Sequence, residues 1–460
     1  MLWALAFLAS VNLLAILGGI IVFFGVVFFV FRLQSGLTQS TETFAQTGVI
    51  DLGPLPIQQG QEIVDQLAAW KRWDVLEKTS ALLALGEQLQ TTDQRILLIF
   101  QGSDELRPTG GFMGAYGIAT FRDGVLTDLT FEDIYDAAGQ MKTKFEPPPG
   151  VAEYTSGGEG WKLPDANWDP NFPSSVQTIT AMMQDAGKGE FTGVVAINTS
   201  VLADLLRITG PVNLPEYQTV LSVETVDDLL SAHRAEFFAG SRAKVVMLQQ
   251  SFNKMLYSLA SLRPKQQIAT ARLVLSALEK KSVQIWHSDE DIQRRLVKAQ
   301  AAGTLPATSY VTLIEANVGI NKINDEITRQ VRFWWSDDLL HMHIEWHNNA
   351  SAITGKSELL DAIPNKRPFI APAPEADHNA YVNYLRVLTS DDVRLASGSA
   401  TELIITQPGQ VVTREYVLAI PPQAKLSFWK QSGVDTTIVT IEQESGVDLL
   451  PFLGDIIIPY

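Results

Sequence analysis

The stretch RILLIFQGSDELRPTGGFMGAYGIATF, residues 95–121, decides the fold of this 460-residue chain. Its opening segment RILLIF is a short, nearly continuous apolar run, which is typical of a strand buried on both faces. Gly114–Phe121 is a second strand candidate, and the Asp-Gly pair that follows it predicts a two-residue hairpin turn into Val125–Phe131. GVVAIN, residues 193–198, is a further buried strand candidate with a helical pattern after it. Strands that alternate with helices predict an α/β layer architecture.

The amino-terminal segment Met1–Phe31 contains no charged side chain. As a helix it would span roughly 46 Å at about 1.5 Å per residue, more than the ~30 Å hydrocarbon core of a bilayer. We therefore predict a transmembrane anchor over residues 1–35, followed by a linker over residues 36–57. A cleaved signal peptide is the alternative, but its apolar region should cover only about 7–15 residues.

The orientation of this anchor rests on basic residues. The first basic side chain is Arg32, on the carboxyl side of the apolar run, which taken alone favours a cytoplasmic carboxyl-terminal part. We expect a basic cytoplasmic leader upstream of Met1, which reverses that balance. The predicted localisation is the plasma membrane, single-pass, with the domains after the anchor extracytoplasmic.

The spacing of apolar residues divides the rest of the chain into two domains. Helical spacing of apolar residues between positions 58 and 90 precedes the strand and helix alternation, so we predict an α/β ectodomain with amino-terminal helices over residues 58–310. From residue 311 onward, period-two runs predict a β-sandwich-like domain over residues 311–460. A loop rich in Pro and Gly between positions 144 and 173 is too long to be incidental and is predicted to lie on the surface.

Charge and composition exclude several classes of protein. The formal net charge is −16 and cysteine is absent, so a general nucleic-acid binder, a thiol enzyme and a cysteine-ligated metal site are all disfavoured. No GxSxG, Walker, HExxH or dinucleotide-binding motif occurs, which disfavours the common hydrolases and dehydrogenases.

The densest polar constellation follows the first buried strand, at Ser103–Gly111. Ligands of α/β sheets bind beyond the carboxyl ends of strands, so we predict that Asp104 and Arg107 lie where a ligand would bind. Arg107 offers a planar fork for carboxylate or phosphate, while Thr109, Gly110 and Gly111 are predicted to contact the substrate closely. The alternative is a glycine turn in which Arg107 pairs with a nearby acid.

Two acidic groups extend this prediction, EDIYD at 132–136 and DANWD at 165–169. Hard cations such as Mg²⁺ prefer carboxylate oxygens, so we predict Asp104, Asp133 and Asp136 as metal ligands and Mg²⁺ as the cofactor. Three residues of the long loop are predicted to bind substrate: Asp165, Asn167 and Trp168. The alternative is that these acids form a solvated rim, which is common in an acidic chain.

The segment HMHIEWH, residues 341–347, alternates polar and apolar side chains. On a strand its three histidines and Glu345 share one face, where adjacent imidazoles are able to chelate zinc. The favoured interpretation is the solvent face of a sandwich strand, because any half-buried strand alternates in this way.

Several long strings in order resemble one bacterial family. The strings are ELRPTGGFMGAYGIATF (105–121), EDIYD (132–136), DANWDPNFP (165–173), GVVAIN (193–198), LADLLRITGPV (202–212) and YVNYLRV (381–387). They resemble the bacterial domain-of-unknown-function family 4012 over roughly residues 90–445. This resemblance implies a membrane-anchored ectodomain and names no reaction.

A fainter resemblance is to the LytR-CpsA-Psr family, which transfers glycopolymers from polyprenyl pyrophosphate carriers to the cell wall. It implies an α-β-α layered domain whose catalytic residues are Asp104, Arg107, Arg234 and Arg242. By this resemblance Asp104 helps to hold Mg²⁺, and the three arginines clamp a pyrophosphate. Bidentate arginines suit that role. The chain departs from the family at residues 132–134, which are Glu-Asp-Ile where Pro-Arg-Asp is expected.

Two hypotheses follow from these residues. The first is a membrane-anchored, extracytoplasmic cell-envelope protein, non-catalytic or of unknown activity, whose α/β domain binds a glycan or another envelope ligand. The second is a Mg²⁺-dependent transferase that moves a glycopolymer from a polyprenyl pyrophosphate lipid to an envelope acceptor. Both place the protein in the membrane through its amino-terminal helix, and neither involves nucleic acid.

Overall fold

The structure is a computed structural model of the whole chain. The residues it describes are 50–51, 73–215, 219–226, 250–251, 254–255, 258, 262–352, 378–421, 425–443 and 446–459. The predicted anchor, most of the predicted linker, Arg234 and Arg242 lie outside these residues. Among the described residues, no helix has the length and apolarity needed to cross a bilayer.

The chain forms two compact units, and neither is continuous in sequence. The first comprises residues up to Gln101, Met113–Gln140 and Thr180–Gly303. The second comprises Gly102–Phe112, Met141–Ile179 and Thr304–Tyr460. The sequence-based division at residues 310 and 311 assigns the two earlier segments to the α/β domain, whereas their contacts belong to the second unit.

The first unit is a sheet with helices. Its strands are β1 (Ile50–Asp51), β2 (Gln94–Gly102), β3 (Phe112–Arg122), β4 (Val125–Asp133), β5 (Gly193–Asn198), β6 (Val212–Leu214), β7 (Thr219–Leu221) and β8 (Val283–His287). Its helices are α1 (Trp73–Thr91), α2 (Ile134–Ala138), α4 (Thr199–Thr209), α5 (Pro264–Glu279) and α6 (Glu290–Lys298), and α3 (Phe172–Asp185) has residues in both units. The main sheet has the strand order β1-β4-β3-β2-β5-β8, in which β2 and β5 run parallel.

The buried strands and the hairpin of this sheet are confirmed. Every residue of β5 is buried, because helices α1, α4, α5 and α6 contribute apolar side chains to one core together with the sheet. Asp123 and Gly124 both have positive φ, at 49° and 77°, as a two-residue turn between β3 and β4 requires.

The second unit consists mainly of two sheets. Its strands are β9 (Tyr310–Asn317), β10 (Ile327–Ser336), β11 (Leu339–Asn348), β12 (Tyr381–Thr389), β13 (Arg394–Ser397), β14 (Thr401–Thr406), β15 (Val411–Ala419), β16 (Leu426–Phe428), β17 (Thr437–Gln443), β18 (Gly446–Pro451) and β19 (Ile456–Ile458). The strand orders are β13-β15-β11-β10-β17-β18 and β14-β12-β9-β16-β19. Inward side chains of both sheets share one apolar core, in which Phe333 of β10 meets Phe428 of β16 edge to face. The coarse fold class, α/β with a mostly β carboxyl-terminal region, is therefore confirmed.

The segment Gly102–Phe112 contributes to the core of the second unit. Leu106 is fully buried there among the side chains of both sheets. Its carbonyl accepts a hydrogen bond from the Asn317 N–H at 3.0 Å, and the Asp104 carbonyl accepts one from the Asn324 N–H at 3.0 Å. The Leu106 side chain thus packs in the core of the sandwich, and the carbonyls of Leu106 and Asp104 are hydrogen-bonded to its backbone. These contacts explain why this loop belongs to the second unit.

The long Pro- and Gly-rich loop covers the outer face of the second sheet. It contains one turn of π-helix, Val151–Thr155, and one turn of 3₁₀-helix, Leu163–Asp165. Val151 and Trp168 are buried against Ala316 of β9 and Val382 of β12. The loop is therefore a packed layer of the second unit, although part of it reaches the surface as predicted.

Replacing Leu106 with alanine tests the place of this loop in the core. We expect Leu106→Ala to lower the free energy of unfolding by about 2–5 kcal/mol, because a fully buried leucine leaves a cavity. The measurement is chemical denaturation of the full chain in mild detergent, followed by tryptophan fluorescence. The control is Leu453→Ala, at a position 41% exposed, which should change stability by at most about 0.5 kcal/mol. Equal small effects of both substitutions would contradict the placement of Leu106.

Candidate functional site

The loop after β2 is held in a fixed shape by its own backbone. The N–H groups of Gly110 and Phe112 donate to the carbonyls of Arg107 and Glu105, both at 2.9 Å. A Cβ at Gly111 would lie 2.2 Å from the Gly102 carbonyl oxygen, so only glycine allows this close approach. The glycines that looked suited to a ligand therefore close the loop onto itself.

Arg107 is buried at the centre of this loop, with 1% of its surface exposed. Its Nε donates to Asp165 Oδ1 and its Nη2 donates to Glu105 Oε1, both at 2.8 Å. Its Nη1 donates to the Asn317 carbonyl at 2.8 Å and to the Leu106 carbonyl at 3.1 Å. All three guanidinium nitrogens are therefore engaged by the protein.

The electrostatics of this cluster follow from burial and charge. Burial alone would lower the pKa of Arg107, but the carboxylates of Asp165 and Glu105 raise it above its ordinary value. Burial raises the pKa of Glu105, and Arg107 opposes that shift. The arginine thus stays charged, and one cation is shared by two acids from different loops.

The predicted substrate-binding residues come together, but they satisfy one another. The Asn167 side-chain amide donates to Thr109 Oγ1 and to the Gly111 carbonyl, both at 2.9 Å, and Asn167 is fully buried. Trp168 is also buried, and its indole N–H donates to the Pro149 carbonyl at 3.0 Å. The residues of the two loops are therefore in contact, as predicted, but they pack against and hydrogen-bond to one another.

A second buried arginine lies in the interior of the sandwich. Arg329 forms a two-pronged ion pair with Glu315, with Nε to Oε1 at 2.7 Å and Nη2 to Oε2 at 3.0 Å. The Tyr381 hydroxyl donates to the same Glu315 oxygen at 2.6 Å. The Gln431 amide donates to the carbonyls of Glu315 and Arg107, so it bridges the two arginine clusters.

A third arginine of the second unit differs from these two. Arg386, on the outer face of β12, donates from Nη2 to the Trp168 carbonyl at 2.9 Å, and its guanidinium lies 5.4 Å from the centre of the Trp168 ring. No acid lies within ion-pair distance of it among the described residues, and its Nε is buried without a hydrogen-bond partner. Sequence reasoning quoted the string YVNYLRV that contains Arg386 but did not assign the residue a role. The sequence does indicate that Arg386, two positions after Tyr384 on a predicted strand, lies on the same face of the sheet as that tyrosine.

The predicted metal ligands already have structural partners. Asp104 accepts a hydrogen bond from the Glu105 N–H at 3.0 Å and lies 3.5 Å from the Lys322 ammonium. Asp133 caps α2 by accepting from the Tyr135 N–H at 2.8 Å, and Asp136 lies in the first turn of that helix. Within the described ranges, no group of three or more His, Asp or Glu side chains is arranged to hold a metal ion. Binding of Mg²⁺ by Asp104, Asp133 and Asp136 stays a prediction.

The histidine face of β11 has the predicted alternation. His343 and His347 lie on either side of Glu345 and contact its two carboxylate oxygens at 3.3 and 2.9 Å. Hydrogen bonds from His347 and His343 lower the pKa of Glu345. This face is a half-buried polar strand surface, which agrees with the favoured interpretation from sequence.

The structure thus describes a protein with an α/β unit and a mostly β unit, in which the most polar loop is buried. Residues 92–233 match the model of a family described as "Protein of unknown function (DUF4012)", which is the family that the strings within this part of the chain resemble. No curated protein sequence matches the chain.

The solved structures with similarity to this chain include that of protein gbs0355 from Streptococcus agalactiae. The two chains share 15% sequence identity, and the similarity covers 47% of this chain and 75% of that chain at a TM-score of 0.30. The resemblance to the LytR-CpsA-Psr family stays a prediction.

Replacing Arg107 with methionine distinguishes a structural arginine from a ligand-binding one. We expect Arg107→Met to lower the free energy of unfolding by about 3–5 kcal/mol, because it leaves the carboxylates of Glu105 and Asp165 buried without their cation. The measurement is again denaturation of the full chain in mild detergent. The matched control is Arg414→Met, since Arg414 pairs with Glu402 near the surface and should contribute at most about 1 kcal/mol. Unchanged stability of the Arg107 variant would mean that this arginine is free for a ligand.

Proposed function

We propose that this protein is a membrane-anchored, extracytoplasmic cell-envelope protein that binds a glycan or another envelope ligand and does not catalyse a reaction on it. The uncharged segment Met1–Phe31 supports the anchor. The observation that carries the non-catalytic part is the complete engagement of the Arg107 guanidinium by Asp165, Glu105 and two carbonyl groups.

A pyrophosphate-clamping role would require Arg107 to leave these partners. Breaking a buried ion pair costs about 3–5 kcal/mol, and two acids would be left uncompensated here. The carboxylates of Glu105 and Asp165 would also repel a pyrophosphate. The alternative, Mg²⁺-dependent glycopolymer transfer from a polyprenyl pyrophosphate carrier, is therefore less well supported than binding alone.

The fold part of the proposal is a LytR-CpsA-Psr-like layering of the first unit. Its support is the parallel pair β2 and β5 within a mixed sheet, together with helices whose apolar side chains share the core of that sheet. A fold of this kind does not fix an activity, so it is compatible with a binding function.

The surface best suited to a glycan is on the second unit. The half-buried rings of Tyr154 and Trp161 lie in the long loop and pack on the cluster that contains Trp168 and Tyr384. Aromatic rings present a large, rigid apolar face beside polar groups, which suits the mixed surface of a sugar. We place the proposed ligand on this loop.

The test is binding and turnover by the full chain in lipid nanodiscs. We expect the protein to sediment with insoluble cell-wall glycan and, in the presence of that glycan as acceptor, to release no polyprenyl phosphate from a polyprenyl-pyrophosphate-linked oligosaccharide, with or without Mg²⁺. Trp161→Ala should weaken glycan binding about two- to tenfold, because an aromatic contact contributes about 0.5–1.5 kcal/mol. Trp334→Ala is the control, since Trp334 stacks on His341 on the other sheet.

Two results would overturn this proposal. Metal-dependent release of polyprenyl phosphate by the wild-type chain, with transfer of the oligosaccharide to the acceptor, would establish the transferase instead. Failure of the wild-type chain to sediment with any envelope glycan would remove the binding function.

The proposed topology is tested separately by protease treatment of intact cells that express the full chain. We expect digestion of the part after residue 36 from outside, because residues 1–35 are proposed to span the membrane once. Digestion only after lysis would place that part in the cytoplasm and contradict the proposal.

A further inference from the structure

Arg386 is a partly exposed cation with a buried Nε, and it forms no ion pair with any described acid. Arg107 is paired with Glu105 and Asp165, and Arg329 is paired with Glu315. Arg386 instead has one hydrogen bond, to the Trp168 carbonyl, and a buried Nε without a partner. Because buried charges in proteins are normally paired, its position calls for an anion that the described chain does not supply.

The polar groups around Arg386 do not form an ion pair with it. Asp169 raises the pKa of Arg386 electrostatically, but it is exposed and accepts a hydrogen bond from the Asn171 N–H at 2.8 Å. Burial lowers the pKa of Arg386 to about 10, so the guanidinium stays protonated at neutral pH. Thr312, a diagonal neighbour across the β9–β12 ladder, also has a buried hydroxyl without a hydrogen-bond partner.

Aromatic rings lead from the surface of the loop to this arginine. The Tyr154 ring lies 5.6 Å from the Tyr384 ring, Tyr384 stacks on Trp168 at 5.9 Å, and Trp168 lies under the Arg386 guanidinium. Tyr154 and Arg386 are both only partly buried, so they are accessible to a ligand. Rings beside an arginine fork provide contacts for the apolar face of a sugar and for an anionic group on it.

We propose that the outer face of β12 and the long loop form a binding site for an anionic saccharide, in which Arg386 pairs with a carboxylate or phosphate carried by the sugar. This inference rests on the proposed glycan-binding function and names the ligand class and the residue that selects it. The guanidinium Nη2 is already fixed by the Trp168 carbonyl, so little side-chain entropy is lost on binding.

The overall charge of the chain limits this ligand to a short anion. A net charge of −16 repels long polyanions, so attraction must come from Arg386 locally and not from a basic surface. We therefore expect a preference for an oligosaccharide with few acidic groups. Exposed charges are screened by salt, but the partly buried pair with Arg386 should be screened less.

The experiment measures binding of defined sugars to the full chain in nanodiscs by calorimetry. The probes are trigalacturonic acid, the same trisaccharide with its carboxyl groups reduced, a phosphorylated trisaccharide of the same backbone, and inorganic phosphate. We expect one acidic trisaccharide to bind on the order of tenfold more tightly than the reduced one, since a charge-assisted hydrogen bond contributes about 1.5–3 kcal/mol. The acidic trisaccharide that binds with the higher affinity shows whether the site prefers a carboxylate or a phosphate.

Arg386→Gln should abolish this preference, whereas Arg414→Gln should leave it unchanged because Arg414 of β15 is paired with Glu402 of β14. Arg386→Lys, which keeps the charge and loses the planar fork, should show an intermediate affinity. If Arg386→Gln does not fold, the wild-type melting temperature decides the question. A rise with the acidic trisaccharide and none with the reduced one supports the site, and equal shifts overturn it.

Failure of this inference is distinct from failure of the proposed function. Equal binding of acidic and reduced sugars, unaffected by Arg386→Gln, overturns the anionic site and leaves glycan binding intact. If inorganic phosphate binds as tightly as the acidic sugars, the site binds an anion only, and the claim that its ligand is a saccharide is overturned. Absence of binding to these probes and to insoluble cell-wall glycan overturns both.

Discussion

The second unit depends on one shared cation, the guanidinium of Arg107 between Glu105 and Asp165. This contact joins the loop after β2 to the long loop, and the hydrogen bond to the Asn317 carbonyl ties both to β9. Each partner is buried or nearly so, and removing the arginine leaves two carboxylates without a counter-ion. Segments far apart in sequence are thereby fixed in one folded unit.

The same physics separates residues that resemble a ligand site from residues that are able to form one. Arg107 and Arg329 have the chemistry of anion-binding groups, but carboxylates of the chain already occupy them. Arg386 has the same chemistry and a carbonyl as its single direct partner among the described residues. Anion-binding capacity in the second unit is therefore assigned by which arginine the fold leaves uncompensated.

Sequence reasoning found the strands because burial on both faces produces continuous apolar runs, as in β2 and β5, and half-burial produces alternation, as in β11. It missed β18, all of whose residues are exposed, because no alternation marks it. The predicted site residues Thr109 and Asn167 do lie together, but their burial could not be predicted. The pairing of Arg107 with Asp165 joins residues 58 positions apart, and only the tertiary fold brings them into contact.

The long loop forms the surface on which we place the proposed ligand. An outer sheet face with Ala316, Val382 and Tyr384 would expose apolar area if it were bare, and the loop covers it with Val151 and Trp168. Covering the face also buries the stem of Arg386 and fixes its fork against the Trp168 carbonyl. The packing that stabilises the loop therefore also orients the uncompensated cation, so stability and recognition at this face have one structural origin.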